Sequence, residues 1–233
     1  MSSPARRHQM RVLAEQAAQS ATYGQEVRGT AYELMLRQLG EHKRTLKGIQ
    51  SIERRIEAKR AFVPVYADYL NGALAGGQGA QDTVLVTLML WHLDLQDWGR
   101  ALELARYVIQ HGMALPEEFS RNAAALLMDH VGNAVLDGPL AGAEALQVLG
   151  DVAQLTEQED APDQARAKLF KATGYALMGK TPTHAPDIAR LEEDQARAAM
   201  ASLTRARALW AQVGVAKDME RLERRLKNAA PAS

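Results

Sequence analysis

The sequence contains no cysteine, so disulfide bonds and thiolate metal sites are excluded. It has no apolar run that approaches the roughly 18–20 residues needed to cross a bilayer. The arginines near the N-terminus are not followed by an apolar segment, which argues against a secretory signal peptide. From these absences we expect a soluble cytoplasmic protein with no membrane partner.

Short motifs of common catalytic and metal centres are also missing: the sequence has neither HExxH nor Gly-x-Ser-x-Gly, and its six histidines are scattered singly. A metal-dependent nuclease needs two or three converging carboxylates. The candidates are Asp94 and Asp97, beside a predicted turn, and the pair Glu117-Glu118. Because helix capping and solvation also explain these carboxylates, we predict no catalytic residue, no metal site and no cofactor. A nuclease built from them is the alternative.

The net charge is zero, but the charges are distributed unevenly. Residues 1–61 hold twelve Lys and Arg against six Asp and Glu, residues 62–165 hold three against fifteen, and residues 166–233 hold thirteen against seven. The net charges of these parts are therefore +6, −12 and +6. This pattern indicates either that the ends and the middle meet different partners or that the basic ends pair with the acidic middle.

The stretch Gly77–Met113 contains the most apolar run of the chain, between Thr83 and Leu95. Its apolar side chains cover nearly every direction around a helix, which predicts a helix buried on all sides. After a break at Gln96-Asp97, apolar residues recur at helical spacing until His111-Gly112, where glycine can end the helix. The sequence therefore predicts an all-α fold, a multi-helix bundle of antiparallel hairpins with a basic N-terminal helical region.

The first basic helix is predicted at Pro4–Gln19, because serine at position 3 is an N-cap residue and proline suits the first helical position. Arg6, Arg7 and Arg11 lie near its start, where positive charge opposes the helix dipole at a cost of roughly a few tenths of a kcal/mol. An anionic partner such as DNA phosphate would offset this cost. An ordinary solvated helix face is the alternative.

A second basic helix, predicted at Glu41–Phe62, gives the sharpest functional signal. At about 100° per residue, its leucine and isoleucines fall with Leu39 within one sector of about 140°. The basic residues on the other side are Lys43, Arg44, Lys47, Arg54, Arg55 and Lys59. Such a face can neutralise several phosphates and release their counterions. The alternative is the charged outer face of a bundle or coiled coil, in which Glu53 and Glu57 pair with a partner helix.

The spacing of the predicted hairpins leaves a further alternative. Hairpins that begin near residues 83, 120 and 163 recur at roughly 40 residues, the period of helical repeat arrays. The segments AKLFKATGYALMGK and ASLTRARALWAQVG loosely resemble tetratricopeptide helices. A protein–protein scaffold of helical repeats, with its basic face on an acidic partner, therefore stays open.

Five parts of the sequence carry a family resemblance. They are, in chain order, SPARRHQMRV, KRTLKGIQSIERRIEAKR, GAQDTVLVTLMLWHLDLQDWGRALELARYVIQHGM, ARAKLFKATGYAL, and Gly214-Val215 followed by Lys217, Glu220, Arg221, Leu222 and Glu223. Together they resemble the small terminase subunit of tailed phages, specifically the gpM-type family, and the resemblance spans essentially the whole chain.

The resemblance implies a role in DNA packaging. Small terminase subunits form ring-shaped homo-oligomers, bind the packaging (cohesive-end) site on double-stranded concatemeric viral DNA, and recruit and regulate the large terminase subunit, which carries the ATPase and the nuclease. The family is often named as the terminase endonuclease subunit, a name that we assign to the complex; cleavage by this chain itself is the alternative. The residues expected to contact DNA are Arg6, Arg7, Arg11, Lys43, Arg44, Lys47, Arg54, Arg55, Lys59 and Arg60.

With this resemblance, the sequence divides into three expected regions. Residues 1–62 form a basic helical DNA-binding region, residues 63–165 an acidic helical core and oligomerisation region, and residues 166–233 a helical region with a basic end. The expected partners are viral DNA, the large subunit and further copies of this chain, all in the host cytoplasm.

Overall fold

The structure, a computed structural model, describes residues 3–117 and 119–229 of the chain. Within this part, β structure is limited to two isolated bridges, so the predicted all-α fold is confirmed. The α-helices are α1 (Pro4–Ser20), α2 (Thr30–Lys47), α3 (Ile52–Phe62), α4 (Ala67–Gly76), α5 (Thr83–Asp94), α6 (Trp98–Gln110), α7 (Ala123–Leu136), α8 (Gly142–Leu155), α9 (Asp163–Met178), α10 (Glu193–Leu209) and α11 (Ala216–Ala229). Short 3₁₀ helices lie at Val63–Tyr66 and Ile188–Arg190.

The chain divides into two compact units, Met1–Ala123 and Ala124–Ser233. The core of the first unit is built around α5, in which every residue from Val84 to Leu93 is buried. This confirms the prediction of a helix buried on all sides, and it explains why apolar side chains occur on every face. A short connection at residues 95–97 leads to α6, which packs against α5. The predicted end of α6 is also confirmed, since Gly112 has a φ of 57°.

Helix α5 begins at a buried carboxylate. The Asp82 side chain accepts a hydrogen bond from the backbone N–H of Leu85 at 2.9 Å, as an N-cap residue does, and another from the Tyr69 hydroxyl at 2.6 Å. Burial raises the pKa of Asp82 from 3.8 to about 6, although its hydrogen bonds favour the charged form. The start of the core helix is therefore held by an ionisable group inside the protein.

Helix α1 is seated closely on α4 through two glycines. A Cβ atom added at Gly72 would lie 2.2 Å from the carbonyl oxygen of Arg11, and one at Gly76 would lie 2.3 Å from that of Glu15. The two glycines stand four residues apart, on one face of α4, so the two helix backbones can approach each other. This packing fixes the helix that carries the first three predicted DNA-binding arginines.

The second unit has its own core, between α9, α10 and α11. Small residues of α10, among them Ala196 and Ala199, are fully buried, and a Cβ at Gly174 of α9 would lie 2.4 Å from a methyl carbon of Leu203. Asp218 at the start of α11 accepts hydrogen bonds from the Tyr175 hydroxyl and the Lys180 ammonium group. Close helix packing and this polar cluster hold the second unit together.

Candidate nucleic-acid interface

The basic residues of α1 lie at its exposed beginning. The Ser3 hydroxyl caps the helix by accepting a hydrogen bond from the backbone N–H of Arg6 at 3.3 Å, as the sequence predicts. Arg6, Arg7 and Arg11 are all exposed, and the first turn of α1 contains no acidic residue. Arg11 lies 3.3 Å from the imidazole Nδ1 of His8. The guanidinium groups can therefore reach an anion outside the protein.

The predicted continuous helix Glu41–Phe62 is wrong, because the structure divides it into α2 and α3 at residues 48–51. Gly48, which lowers helix propensity, caps α2, and the hydroxyl of Ser51 caps α3 by accepting from the backbone N–H of Arg54 at 3.3 Å. The apolar sector drawn on one helix is therefore not formed. Leu39 is buried, but Ile52 is 78% exposed.

Helix α3 lies on the protein surface. None of its eleven residues, all of which the structure describes, is buried. The side chains of Arg54, Arg55 and Arg60 are exposed. The Nε–H of Arg55 donates to the backbone carbonyl of Ile49 at 2.6 Å, so one arginine is tied to the turn that precedes the helix. An exposed helix with several arginines can enter a groove or lie along phosphates.

The last turns of α2 add three more basic side chains. Arg44 and Lys47 are exposed, whereas Lys43 is half-buried. The Nε–H of Arg44 donates to the carbonyl of Gly40 at 3.3 Å. Positive charge at a helix C-terminus interacts favourably with the helix dipole, so these residues also stabilise α2. Their position next to the turn brings them close in sequence and space to the start of α3.

The other end of α3 is fastened to the core. The Phe62 ring stacks on the imidazole of His42, with centroids 3.8 Å apart and planes 5° from parallel. The Tyr66 hydroxyl lies 2.7 Å from Nδ1 of His42, and Trp91 of α5 lies near these rings. Burial lowers the pKa of His42. We call His42, Phe62, Tyr66 and Trp91 the aromatic cluster.

Lys59 also lies at the fastened end of α3, and it differs from the arginines of this helix. Its ammonium group forms an ion pair with the carboxylate of Asp94, at the end of α5. The structure thus places five of the predicted residues near the turn between α2 and α3, whereas Lys59 and Arg60 lie towards the other end of α3 and the first three lie on α1. The turn itself was missed in the sequence. A glycine followed by a capping serine, in Gly48 and Ser51, is the signal that could have revealed it.

Two of the carboxylates considered for a nuclease, Asp94 and Asp97, have structural partners. Asp94 pairs with Lys59; Asp97 caps α6, and its Oδ2 lies 2.9 Å from Nδ1 of the buried His92. Burial lowers the pKa of His92, although its bond to Asp97 acts in the opposite direction. Glu117 is exposed, and Glu118 lies outside the described residues.

Across residues 3–117 and 119–229, no group of three or more His, Asp or Glu side chains is arranged as ligands for a metal ion. In the same ranges, no helix is both long and apolar enough to span a membrane.

Comparisons with known proteins identify the family. The family model described as phage small terminase subunit matches residues 36–164, which include the turn, all of α3 and the part of α2 from residue 36 onwards. The protein named "Terminase, endonuclease subunit" of Escherichia phage P2 is 39% identical over 228 residues, covering 97% of this chain and 87% of the relative. No solved structure matches the chain. The chain therefore belongs to the phage small terminase subunit family.

Proposed function

We propose that this chain binds the packaging (cohesive-end) site of double-stranded viral DNA in the host cytoplasm. In this proposal it binds as a ring-shaped homo-oligomer and recruits and regulates the large terminase subunit, which cuts and packages the DNA. Family membership supports the general role. The observation that carries the DNA-binding part is α3, an exposed helix that presents Arg54 and Arg55 directly after a short turn.

The connection between α2 and α3 supports this use of the helix. Helix-turn-helix motifs join two helices by a three- or four-residue turn that often contains glycine, and the second helix enters the major groove. Residues 48–51 give the same length of connection and begin with Gly48. A major groove about 12 Å wide admits one α-helix. Arginine is the side chain most often used there for guanine, and it also binds phosphate.

The basic residues of α1 and of the last turns of α2, together with the exposed Arg60 of α3, are proposed to hold DNA phosphates. Arg6, Arg7 and Arg11 are exposed on α1, and Lys43, Arg44 and Lys47 lie in the last turns of α2. Each phosphate that a cation neutralises contributes about 0.9 to the slope of log affinity against log salt. In a ring these contacts are repeated in each subunit, so modest affinity per subunit is sufficient. We propose that the acidic region, residues 63–165, supplies contacts between subunits.

A charge-reversal experiment tests the DNA-binding proposal. Duplex DNA carrying the cohesive-end sequence of the cognate phage is titrated with the wild-type protein and with the double variant Arg54→Glu/Arg55→Glu at several salt concentrations. We expect the variant to bind much more weakly and with a smaller salt slope than the wild type, while it remains folded and oligomeric. The matched control, Arg205→Glu/Arg207→Glu, reverses two exposed arginines of α10 and should bind as the wild type does. If the α3 variant binds normally, the proposal is wrong.

The ring and the large subunit need separate measurements. Native mass spectrometry of the purified protein should show a closed oligomer of more than two copies, and a monomer would contradict the ring. Co-purification with the large subunit should retain both proteins in one complex. Loss of the large subunit under conditions that preserve the oligomer would contradict recruitment.

The second candidate is that this chain cleaves DNA itself. The name of the phage P2 relative, "Terminase, endonuclease subunit", favours this alternative. Purified protein is incubated with cohesive-end DNA and Mg²⁺ without the large subunit. Our proposal predicts intact DNA, and cleavage that Asp97→Ala abolishes would establish the alternative.

A further inference from the structure

Lys59 lies on the DNA-binding helix of the proposed function, but its charge already has a partner. Its side chain is 16% exposed and its ammonium group pairs with Asp94, whose side chain is 31% exposed. Arg54 and Arg55, in contrast, are exposed. If Lys59 turned to a phosphate, the carboxylate of Asp94 would remain close to the DNA without its counter-charge.

The ion pair is one part of a larger attachment. Lys59 and Asp94 lie 35 residues apart in sequence, so their contact fixes the end of α3 to the end of α5. Three residues later, Phe62 stacks on His42 of α2 and lies 6.3 Å from Trp91 of α5. The two contacts fall on successive turns at the C-terminal end of α3. The N-terminal end, with Ile52 and Arg54, is exposed.

We propose that the Lys59–Asp94 ion pair and the aromatic cluster form a latch that sets the direction in which α3 projects from the core. This inference rests on the proposed DNA-binding function. Lys59 and Asp94 are positioning residues: they hold the exposed arginines of α3 at the angle that DNA requires. Holding a binding element in place before association lowers the ordering cost of binding, and the latch acts on affinity in this way.

A double-mutant cycle separates a latch from a direct phosphate contact. Lys59→Gln, Asp94→Asn and the double variant are titrated with the same cohesive-end duplex over a range of salt concentrations. A latch predicts that each single variant weakens binding by up to about fivefold per subunit, the upper range for partly exposed ion pairs. The double variant should be no weaker than either single variant, and the salt slope should stay unchanged.

A phosphate contact by Lys59 predicts different results. Lys59→Gln would then lower the salt slope by about 0.9 per subunit. Asp94→Asn would strengthen binding, because it removes a negative charge beside the DNA. Either result overturns the latch. Exchanging the charges, with Lys59→Asp and Asp94→Lys in one chain, should restore much of the affinity lost in the single variants.

A control variant and a second measurement keep this test independent of folding and of the proposed function. Lys168→Gln breaks a similar Lys–Asp pair of the second unit, formed with Asp129 at 2.6 Å, and should leave DNA binding unchanged. Hydrogen exchange of the free protein should become faster at residues 55–63 in Lys59→Gln and in Asp94→Asn. Unchanged exchange overturns the latch even if DNA binding falls. A wild-type protein that binds no duplex refutes the proposed function, whereas the exchange result still decides whether the latch exists.

Discussion

The buried carboxylate of Asp82 should make the stability of the first unit depend on pH in an unusual direction. Burial raises the pKa of this group to about 6 in the folded protein from 3.8, so the folded state binds the proton more tightly than the unfolded state. The stability that Asp82 contributes is therefore fully present below about pH 4 and is lost as the pH rises towards 6. The difference between these pKa values corresponds to about 3 kcal/mol.

The substitution Asp82→Asn isolates this contribution. Asparagine keeps an oxygen that can accept from the backbone N–H of Leu85, and its amide can donate to the Tyr69 hydroxyl. Relative to the wild type, the variant should therefore gain about 3 kcal/mol in the free energy of unfolding between pH 4 and pH 7. The other carboxylates contribute equally to the pH dependence of both proteins, so their contribution cancels in the difference between the two free energies of unfolding.

Urea unfolding at several pH values, followed by tryptophan fluorescence, measures this difference. Trp91 and Trp98 lie in the first unit and Trp210 lies in the second, so all proteins carry Trp210→Phe and the signal then reports on the core around α5. Glu33→Gln, which removes an exposed carboxylate from α2, is the matched control for the loss of one carboxylate. If the difference in the free energy of unfolding between Asp82→Asn and the wild type stays constant or falls as the pH rises, burial does not raise the pKa of Asp82 and the prediction is wrong.

Three further predictions concern packing and the candidate interface. Leu88→Ala should lower the free energy of unfolding by about 3–5 kcal/mol in denaturant titrations, because Leu88 is fully buried. Leu34→Ala, at a 49% exposed site, should lower it by less than about 0.5 kcal/mol. Equal losses in the two variants would contradict the buried position of α5. Gly76→Ala should lower Tm, because its Cβ would lie 2.3 Å from a carbonyl oxygen of α1. Gly40→Ala, which has open space in α2, should raise Tm. A change of Tm in the same direction for both variants would contradict the close packing of α1 on α4. Ser51→Ala removes the N-cap of α3 and should lower the free energy of unfolding by about 1 kcal/mol and weaken DNA binding in titrations. Ser51→Asn should retain both the stability and the DNA affinity of the wild type. A loss in the Asn variant as well would show that capping is not the cause.

The fold could be predicted from the sequence where one physical effect dominates. The run from Val84 to Leu93 places apolar side chains in nearly every direction, and such a helix is stable only when it is buried. Ser3 and Gly112 similarly marked helix ends, because capping and left-handed backbone depend on local residue chemistry.

The candidate site was harder to predict because two local effects compete there. Helical periodicity continues across residues 48–51, and the positions of Leu46 and Ile56 are consistent with a single helix. Gly48 and the cap at Ser51 break this helix, and the break changes the direction in which Ile52 and the following arginines point. The pairing of Lys59 with Asp94 depends on tertiary packing between α3 and α5, and sequence spacing carries no information about it.

Site-specific photocrosslinking tests the central claim, that α3 contacts DNA, most directly. A photoreactive phenylalanine analogue replaces Ile52, which is 78% exposed on α3, or Leu146, which is 37% exposed on α8 in the second unit. With cohesive-end duplex, our account predicts efficient crosslinking from position 52, lost at high salt, and little from position 146. Crosslinking from position 146 but not from position 52, in a protein that binds the duplex with wild-type affinity, would contradict it.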